Sequence, residues 1–255
     1  MPRGCVNNGG AKSLIRLSAV PRLEEPIVLD AAAVAALDCW RARPGDIVTV
    51  VDPHQIFYRA RLSEQTPSFT AVTPFQRFSR SPESPLAIDL CQALPEKERF
   101  ELILQKATEL GVTRILPYTS DRSITLEERD AGQKKSHRWP DIVLRAAKQC
   151  RRALVPELFP VLSWDEMTYG VASADLKLML YEGEAGWSLA EAVRGARPHR
   201  VALLVGPEGG FAPEEAEDAR RLGFLPVSVG PRILRTETAA IVGVALLQTL
   251  LGDLD

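Results

Sequence analysis

Two stretches in the last quarter of the chain combine glycine-rich turns with charged and hydroxyl side chains. In the first, the apolar run 201–205 leads into Gly206-Pro207-Glu208-Gly209-Gly210. A run of that length and character reads as a buried strand. Glycines after it let backbone amides approach a ligand closely and adopt conformations barred to other residues. Ligands of parallel α/β sheets sit at the carboxyl ends of strands, which is where this loop falls. The spacing is not G-x-G-x-x-G, and the chain has no G-x-x-x-x-G-K-[ST] loop, so the usual dinucleotide and phosphate-loop patterns are absent. A glycine turn between strand and helix with no ligand would look the same at this level.

The second stretch, Gly230-Pro231-Arg232-Ile233-Leu234-Arg235-Thr236-Glu237-Thr238, also runs from a strand into a helix. Thr236 suits the N-cap, and Glu237 suits the positive end of the helix dipole. Arg235 has no such structural excuse. A guanidinium just before an almost wholly apolar helix is an odd choice unless its charge is used. That helix, expected over 236–251, carries Ile241, Val242, Val244, Leu246, Leu247 and Leu250, so apolar residues surround it. Such a helix is buried on more than one side, either under its own domain or against a second copy of the chain.

Basic residues recur in the middle of the chain. Lys106 lies on an expected helix, Arg122 in the loop 119–123, and Lys148, Arg151 and Arg152 at the end of another helix. Cations at a helix C-terminus are favourable on dipole grounds alone, and Lys106 reads equally as a solvated charge. Residues 76–160 hold 15 Lys and Arg against 12 Asp and Glu; residues 161–255 hold 8 against 14. A phosphate-facing surface would therefore use the first two-thirds.

The elements that must position these residues fall into two groups. Residues 1–75 read as a small, mostly β module. It has a helix over 31–40 capped by Asp30, and strands over 47–51 and 56–62 on either side of an Asp52-Pro53-His54-Gln55 turn. Gln76 to Pro85 is rich in serine and proline and reads as the linker or the last edge of the first module, so the division is placed at 75/76. Residues 76–255 alternate strands (86–91, 115–118, 176–181, 201–205, 224–229) with helices (96–110, 138–152, after Ser163, 188–193, 213–222, 236–251). That alternation argues an α/β fold with a largely parallel sheet covered on both faces.

Composition sets the outer limits. The chain has 255 residues, 45% hydrophobic and 25% charged, which fits a folded globular protein rather than a disordered one. Cys5, Cys39, Cys91 and Cys150 are far apart, and the histidines are only His54, His137 and His199, so no metal site is expected. Scattered single cysteines suit a reducing cytoplasm. The apolar stretch 239–251 is too short to span a bilayer comfortably, and no membrane association is expected.

Four segments bear a resemblance to one family. Gln105-Lys106-Ala107-Thr108-Glu109-Leu110-Gly111-Val112, Gly206 to Phe211, and Leu234-Arg235-Thr236-Glu237-Thr238-Ala239 resemble segments of the RsmE family. So does Arg138-Trp139 with Ala147, Gln149, Arg152 and Val155-Pro156. These are bacterial enzymes that methylate N3 of one uridine in small-subunit ribosomal RNA. Arg41 to Asp46 more weakly resembles a turn of the family's N-terminal domain.

The resemblance implies a SPOUT-type parallel sheet with a C-terminal trefoil knot, preceded by a small PUA-like β-barrel that holds RNA. It implies S-adenosyl-L-methionine as cofactor, small-subunit ribosomal RNA or its assembled particle as partner, and a homodimer. Cofactor contacts then fall to Leu180, Tyr181, Glu182, Gly206, Pro207, Gly209, Gly210, Gly230, Ile233, Leu234, Thr236 and Thr238. Arg235 would stabilise charge on the uracil or hold a phosphate, and Glu237 or Glu208 would take the N3 proton. Arg41, Lys106, Arg122, Arg151 and Arg152 would meet RNA phosphates, which position rather than specify. The alternatives are a methyltransferase of this fold with another RNA target, a non-catalytic RNA-binding protein of the same fold, and an enzyme using a nucleotide at the glycine turn.

Overall fold

The computed structural model describes residues 5–66, 69–123, 138–183 and 186–254. They fall into two compact units. Residues 7–83 and 144–157 form the smaller; residues 84–143 and 158–255, with the first six, form the larger. The division lies at 83/84 rather than at 75/76, and the segment 144–157 joins the smaller unit, a long-range association that local sequence does not display.

The smaller unit contains β1 (Ile15–Arg16), β2 (Ile27–Val28), α1 (Ala31–Cys39), β3 (Ile47–Val51), β4 (Phe57–Gln65) and β5 (Thr70–Arg77), with sheet order β1-β3-β4-β5-β2. Asp30 caps α1 by accepting the Ala33 N–H at 2.8 Å. The β3–β4 turn is built on Asp52, whose carboxylate accepts from the backbone N–H of His54 (2.8 Å) and Ile56 (3.0 Å) and from the Tyr58 hydroxyl (3.1 Å). Alternate residues of β4 point inward, and Ala60 and Leu62 join Val50 and Val72 in a fully buried core. The expected linker is anchored at its end. Glu83 pairs with Arg152 and also accepts from the N–H groups of Ala153 and Leu154.

The larger unit runs β6 (Ala87–Ala93), α2 (Lys97–Glu109) and β7 (Arg114–Tyr118), then α3 (Trp139–Gln149), whose later residues belong to the smaller unit. There follow β8 (Glu157–Leu158), α4 (Trp164–Gly170), β9 (Leu176–Leu180), β10 (Trp187–Ser188), α5 (Leu189–Ala192), β11 (Arg200–Val205), α6 (Pro213–Arg221), β12 (Leu225–Ser228) and α7 (Thr236–Leu251). The sheet order is β10-β12-β9-β11-β6-β7-β8, and the pairs from β10 through to β7 are parallel. The α/β fold with a parallel sheet is thus as the strand–helix alternation requires.

The helices obey their sequence signals. Phe100, Ile103, Leu104 and Ala107 bury one face of α2, which stops where Gly111 takes φ 84°. Ser163 and Glu166 form a reciprocal capping box at the start of α4. Gly243 lets α7 lie close on the sheet: a Cβ there would come within 2.9 Å of Leu180 and 3.0 Å of Leu203.

At the amino ends of the strands a buried charge cluster locks three of them. Asp89 of β6 is fully buried and receives Arg114 of β7 (Nε–Oδ1 2.7 Å) and Arg200 of β11 (Nη1–Oδ1 2.6 Å). Arg114 also donates to the Gly170 carbonyl at 3.0 Å. Removing the carboxylate strands two guanidinium groups, so Asp89→Ala should cost about 3 kcal/mol of stability. A lowered urea midpoint with an unchanged slope is the expected result.

Candidate functional site

At the opposite, carboxyl end of the sheet, the loops after the adjacent strands β9, β11 and β12 surround a cavity of about 590 Å³. The volume is that of a small-ligand site. Its walls are residues 180–183 after β9, 205–208 with Gly210 and Phe211 after β11, and 227–236 after β12, with Arg99 of α2 and Ala239 of α7.

Each wall is held by the fold. Thr236, 5% exposed, donates its hydroxyl to the Gly206 carbonyl at 2.7 Å and accepts from Gln92 Nε2 at 3.0 Å. The start of α7 is thereby tied to the ends of β11 and β6. Tyr118, fully buried, donates to the Val205 carbonyl at 3.1 Å. Burial pushes its phenol well above the ordinary range, so it stays a donor. Glu215 of α6 accepts from the Ser120 hydroxyl and from the Asp121 and Ala212 N–H groups, all at 3.0 Å, which fixes the 119–123 loop beside the turn after β11.

Side chains would crowd the turn itself. A Cβ on Gly206 would lie 3.0 Å from the Phe211 ring. Gly210 takes φ 68°, and a Cβ there would lie 2.6 Å from a Glu182 oxygen. Gly230 takes φ 128°, which favours glycine whatever the space.

Of the residues expected at the cofactor, Leu180, Tyr181, Glu182, Gly206, Pro207, Gly210, Gly230, Ile233, Leu234 and Thr236 line this one cavity. Gly209 and Thr238 do not. The Cβ position of Gly209 faces Arg122, whose guanidinium donates to the Gly209 carbonyl at 3.2 Å. Thr238 lies two residues along α7 from Thr236, about 200° round the helix, and is exposed.

Among the catalytic candidates, Arg235 and Glu208 line the cavity and Glu237 does not. Glu237 sits about 100° round from Thr236, and its buried Oε2 has no hydrogen-bond partner among the described residues. Glu208 is engaged by one oxygen: Oε1 accepts from the Glu96 N–H at 3.0 Å and pairs with Arg99 at 3.1 Å.

Arg99 is the functional-looking residue that sequence reasoning missed. It stands in the first turn of α2, where an arginine reads as a solvated charge, and only the pairing of β6 with β11 carries it to this cavity. Tyr181 is covered from outside by the Arg220 guanidinium, 5.2 Å from its ring centre.

The cations expected to meet phosphate are spread over both units. Lys106 is paired with Glu109 at 2.9 Å, and Arg122 is exposed beside the Gly209 carbonyl. Arg41 and Arg151 are exposed on the smaller unit. Arg152 corrects the expectation: it is 4% exposed and bidentate to Glu83, a structural ion pair with no face for a phosphate. Among the described residues, no group of three His, Cys, Asp or Glu could hold a metal, and no helix is long and apolar enough to cross a membrane.

The profile of the RNA methyltransferase domain family matches residues 82–248. Ribosomal RNA small subunit methyltransferase E of Mycobacterium bovis is 31% identical over 239 residues, covering 89% of this chain and 90% of that one. Its counterpart from Buchnera aphidicola of Schizaphis graminum is 36% identical over 175 residues, covering 68% and 69%. Among solved structures, ribosomal RNA small subunit methyltransferase E from Neisseria gonorrhoeae, bound to S-adenosyl methionine, superposes with a TM-score of 0.66. It is 31% identical, with 94% of this chain and 98% of that chain covered. The present chain therefore belongs to the RNA methyltransferase domain family and, within it, to the ribosomal RNA small subunit methyltransferase E, or RsmE, family.

Proposed function

We propose that the protein methylates N3 of a uridine in small-subunit ribosomal RNA, using S-adenosyl-L-methionine held in the cavity above β9, β11 and β12. The observation that carries this reading is the convergence of three separate loops on one cavity at the carboxyl ends of adjacent parallel strands. The cavity fits such a cofactor. Leu180, Val205, Phe211, Ile233 and Leu234 offer apolar surface for a flat base, while the tight glycine turns bring backbone amide groups to the wall. Glu182 lines the cavity and forms no hydrogen bond or ion pair among the described residues, so its carboxylate is available to ribose hydroxyls. When bound, the cofactor supplies the methyl group as an electrophile.

The chain's own residues must then position the uracil and manage one proton. Arg235 at the cavity wall stabilises the negative charge that develops on the uracil as the N3 proton leaves. Glu208, with Oε2 not engaged, is the remaining carboxylate of the two candidate bases. Of the expected phosphate contacts, Arg41, Lys106, Arg122 and Arg151 stay in the proposal, and Arg152 leaves it.

The finer features of the fold belong to the same reading. After β12, the outer neighbour of β9, the chain returns to pack α7 on β6, β11 and α2. That return path past the loops after β9 and β11 supports the trefoil knot of SPOUT enzymes. The five-stranded sheet of the smaller unit supports a PUA-like module that holds RNA. α7 buries Ala240, Gly243, Val244 and Leu247 within its own unit, while Ile241, Val242 and Leu246 are only partly covered and Leu250 is 42% exposed. A second copy of the chain would cover that face, and a cytoplasmic homodimer is the form proposed.

With labelled S-adenosyl-L-methionine and small-subunit particles lacking the modification, the wild type should transfer label to a uridine identified as 3-methyluridine by mass spectrometry. Transfer to another base, or none, would exclude the reading. Arg235→Ala should slow transfer by about 100-fold or more, while cofactor affinity measured by calorimetry changes less than about two-fold. Leu246→Glu should convert the dimer to a monomer in light scattering; an unaltered mass would place the partner surface elsewhere.

A further inference from the structure

The smaller unit carries an electrostatic arrangement that its own fold does not resolve. Arg59 of β4 stands opposite Thr49 of β3 and is only partly exposed. Its Nη1 donates to the Thr49 hydroxyl at 3.0 Å, and that hydroxyl donates to the carbonyl of Arg151 at 3.0 Å. One buried threonine thus ties the Arg59 guanidinium to the backbone of Arg151. No carboxylate pairs with either among the described residues. The nearby acids are committed: Glu83 is taken by Arg152, and Asp46 by Lys148 at 3.7 Å and by the Arg43 N–H. Burial and, after it, the nearby Arg151 charge lower the affinity of Arg59 for its proton.

The backbone adds a second oddity. Arg151 follows the end of α3 with φ 64°, the left-handed conformation that helix ends ordinarily give to glycine or asparagine. A β-carbon with a long charged side chain is retained where glycine would be easier, so the side chain has a use beyond ending the helix. Arg61 lies two residues beyond Arg59 on the same face of β4 and extends the positive strip.

We propose that Arg59 and Arg151 form a phosphate-binding clamp that grips the backbone of the ribosomal RNA. A partly buried guanidinium held by Thr49 beside an exposed one, neither paired with a carboxylate among the described residues, suits a phosphate diester, which offers acceptor oxygens to both. Such a contact anchors the RNA without reading its sequence. The inference rests on the RNA-directed reading above and adds Arg59, together with the geometry that fixes Arg151.

The test uses the full-length protein, a small-subunit ribosomal RNA transcript, and anisotropy titrations over a range of salt concentrations. Arg151→Gly and Arg59→Gln should each weaken binding several-fold, and each should lower the slope of log K against log salt by about 0.7–0.9, the signature of one lost phosphate contact. Arg151→Gly removes the left-handed strain, so its melting temperature should hold or rise while RNA affinity falls; a purely structural arginine would behave in the opposite way. Unchanged slopes in both variants, or no RNA binding by the wild type, overturn the clamp. Cofactor affinity, measured in parallel by calorimetry, should be the same in all three proteins. If the wild type fails to bind S-adenosyl-L-methionine, the methyltransferase reading falls while the salt slopes still decide the clamp.

Discussion

The site depends on one hydroxyl. Thr236 donates to the carbonyl of Gly206 and accepts from Gln92, joining the first turn of α7 to the ends of β11 and β6. The bond to Gln92 is buried and the one to Gly206 partly so, and losing them would leave buried polar groups without partners. This tie sets the 230–235 segment beside the glycine turn, across the cavity between them. Gly243 acts in the same direction further along α7, letting the helix approach Leu180 and Leu203 more closely than any larger residue permits.

The sheet divides structural and chemical work between its two ends. The amino ends hold Asp89 between Arg114 and Arg200, charges paired within the fold. The carboxyl ends hold Arg99, Arg232, Arg235, Glu182 and Glu208 around the cavity, where, among the described residues, Arg99 and Glu208 are paired with each other. A parallel sheet favours this polarity, because the loops leaving its strands all open on the same side. The smaller unit follows a related logic. Its acid–base pair, Glu83 with Arg152, secures the fold, while Arg59 and Arg151 have no paired carboxylate among the described residues.

Neighbouring residues of the same type have different fates. Arg151 and Arg152 are adjacent, yet one is exposed in a left-handed conformation and the other is 4% exposed against Glu83. Glu208 and Glu237 are the two carboxylates the sequence offers as the base. One lines the cavity while the other is rotated out of it by the pitch of α7. Thr236 and Thr238 separate for the same geometric reason.

From the sequence alone came the alternation of strands and helices, the parallel sheet, the glycine turn, the loop before the last helix and the family. These are local patterns, written in hydrophobic period, turn residues and contiguous motifs. They placed ten of the twelve expected cofactor residues around a single cavity, because each lies at the end of a strand, in the loop that follows it or at the start of the next helix. Tertiary structure alone decided what depends on long-range association: that 144–157 packs with the first unit, that Arg99 reaches the cavity through the pairing of β6 with β11, that Arg152 is buried, and that Arg59 lies beside Arg151. Side chains distant along the chain meet only once strands pair and helices dock, and no local pattern encodes which partner each will find.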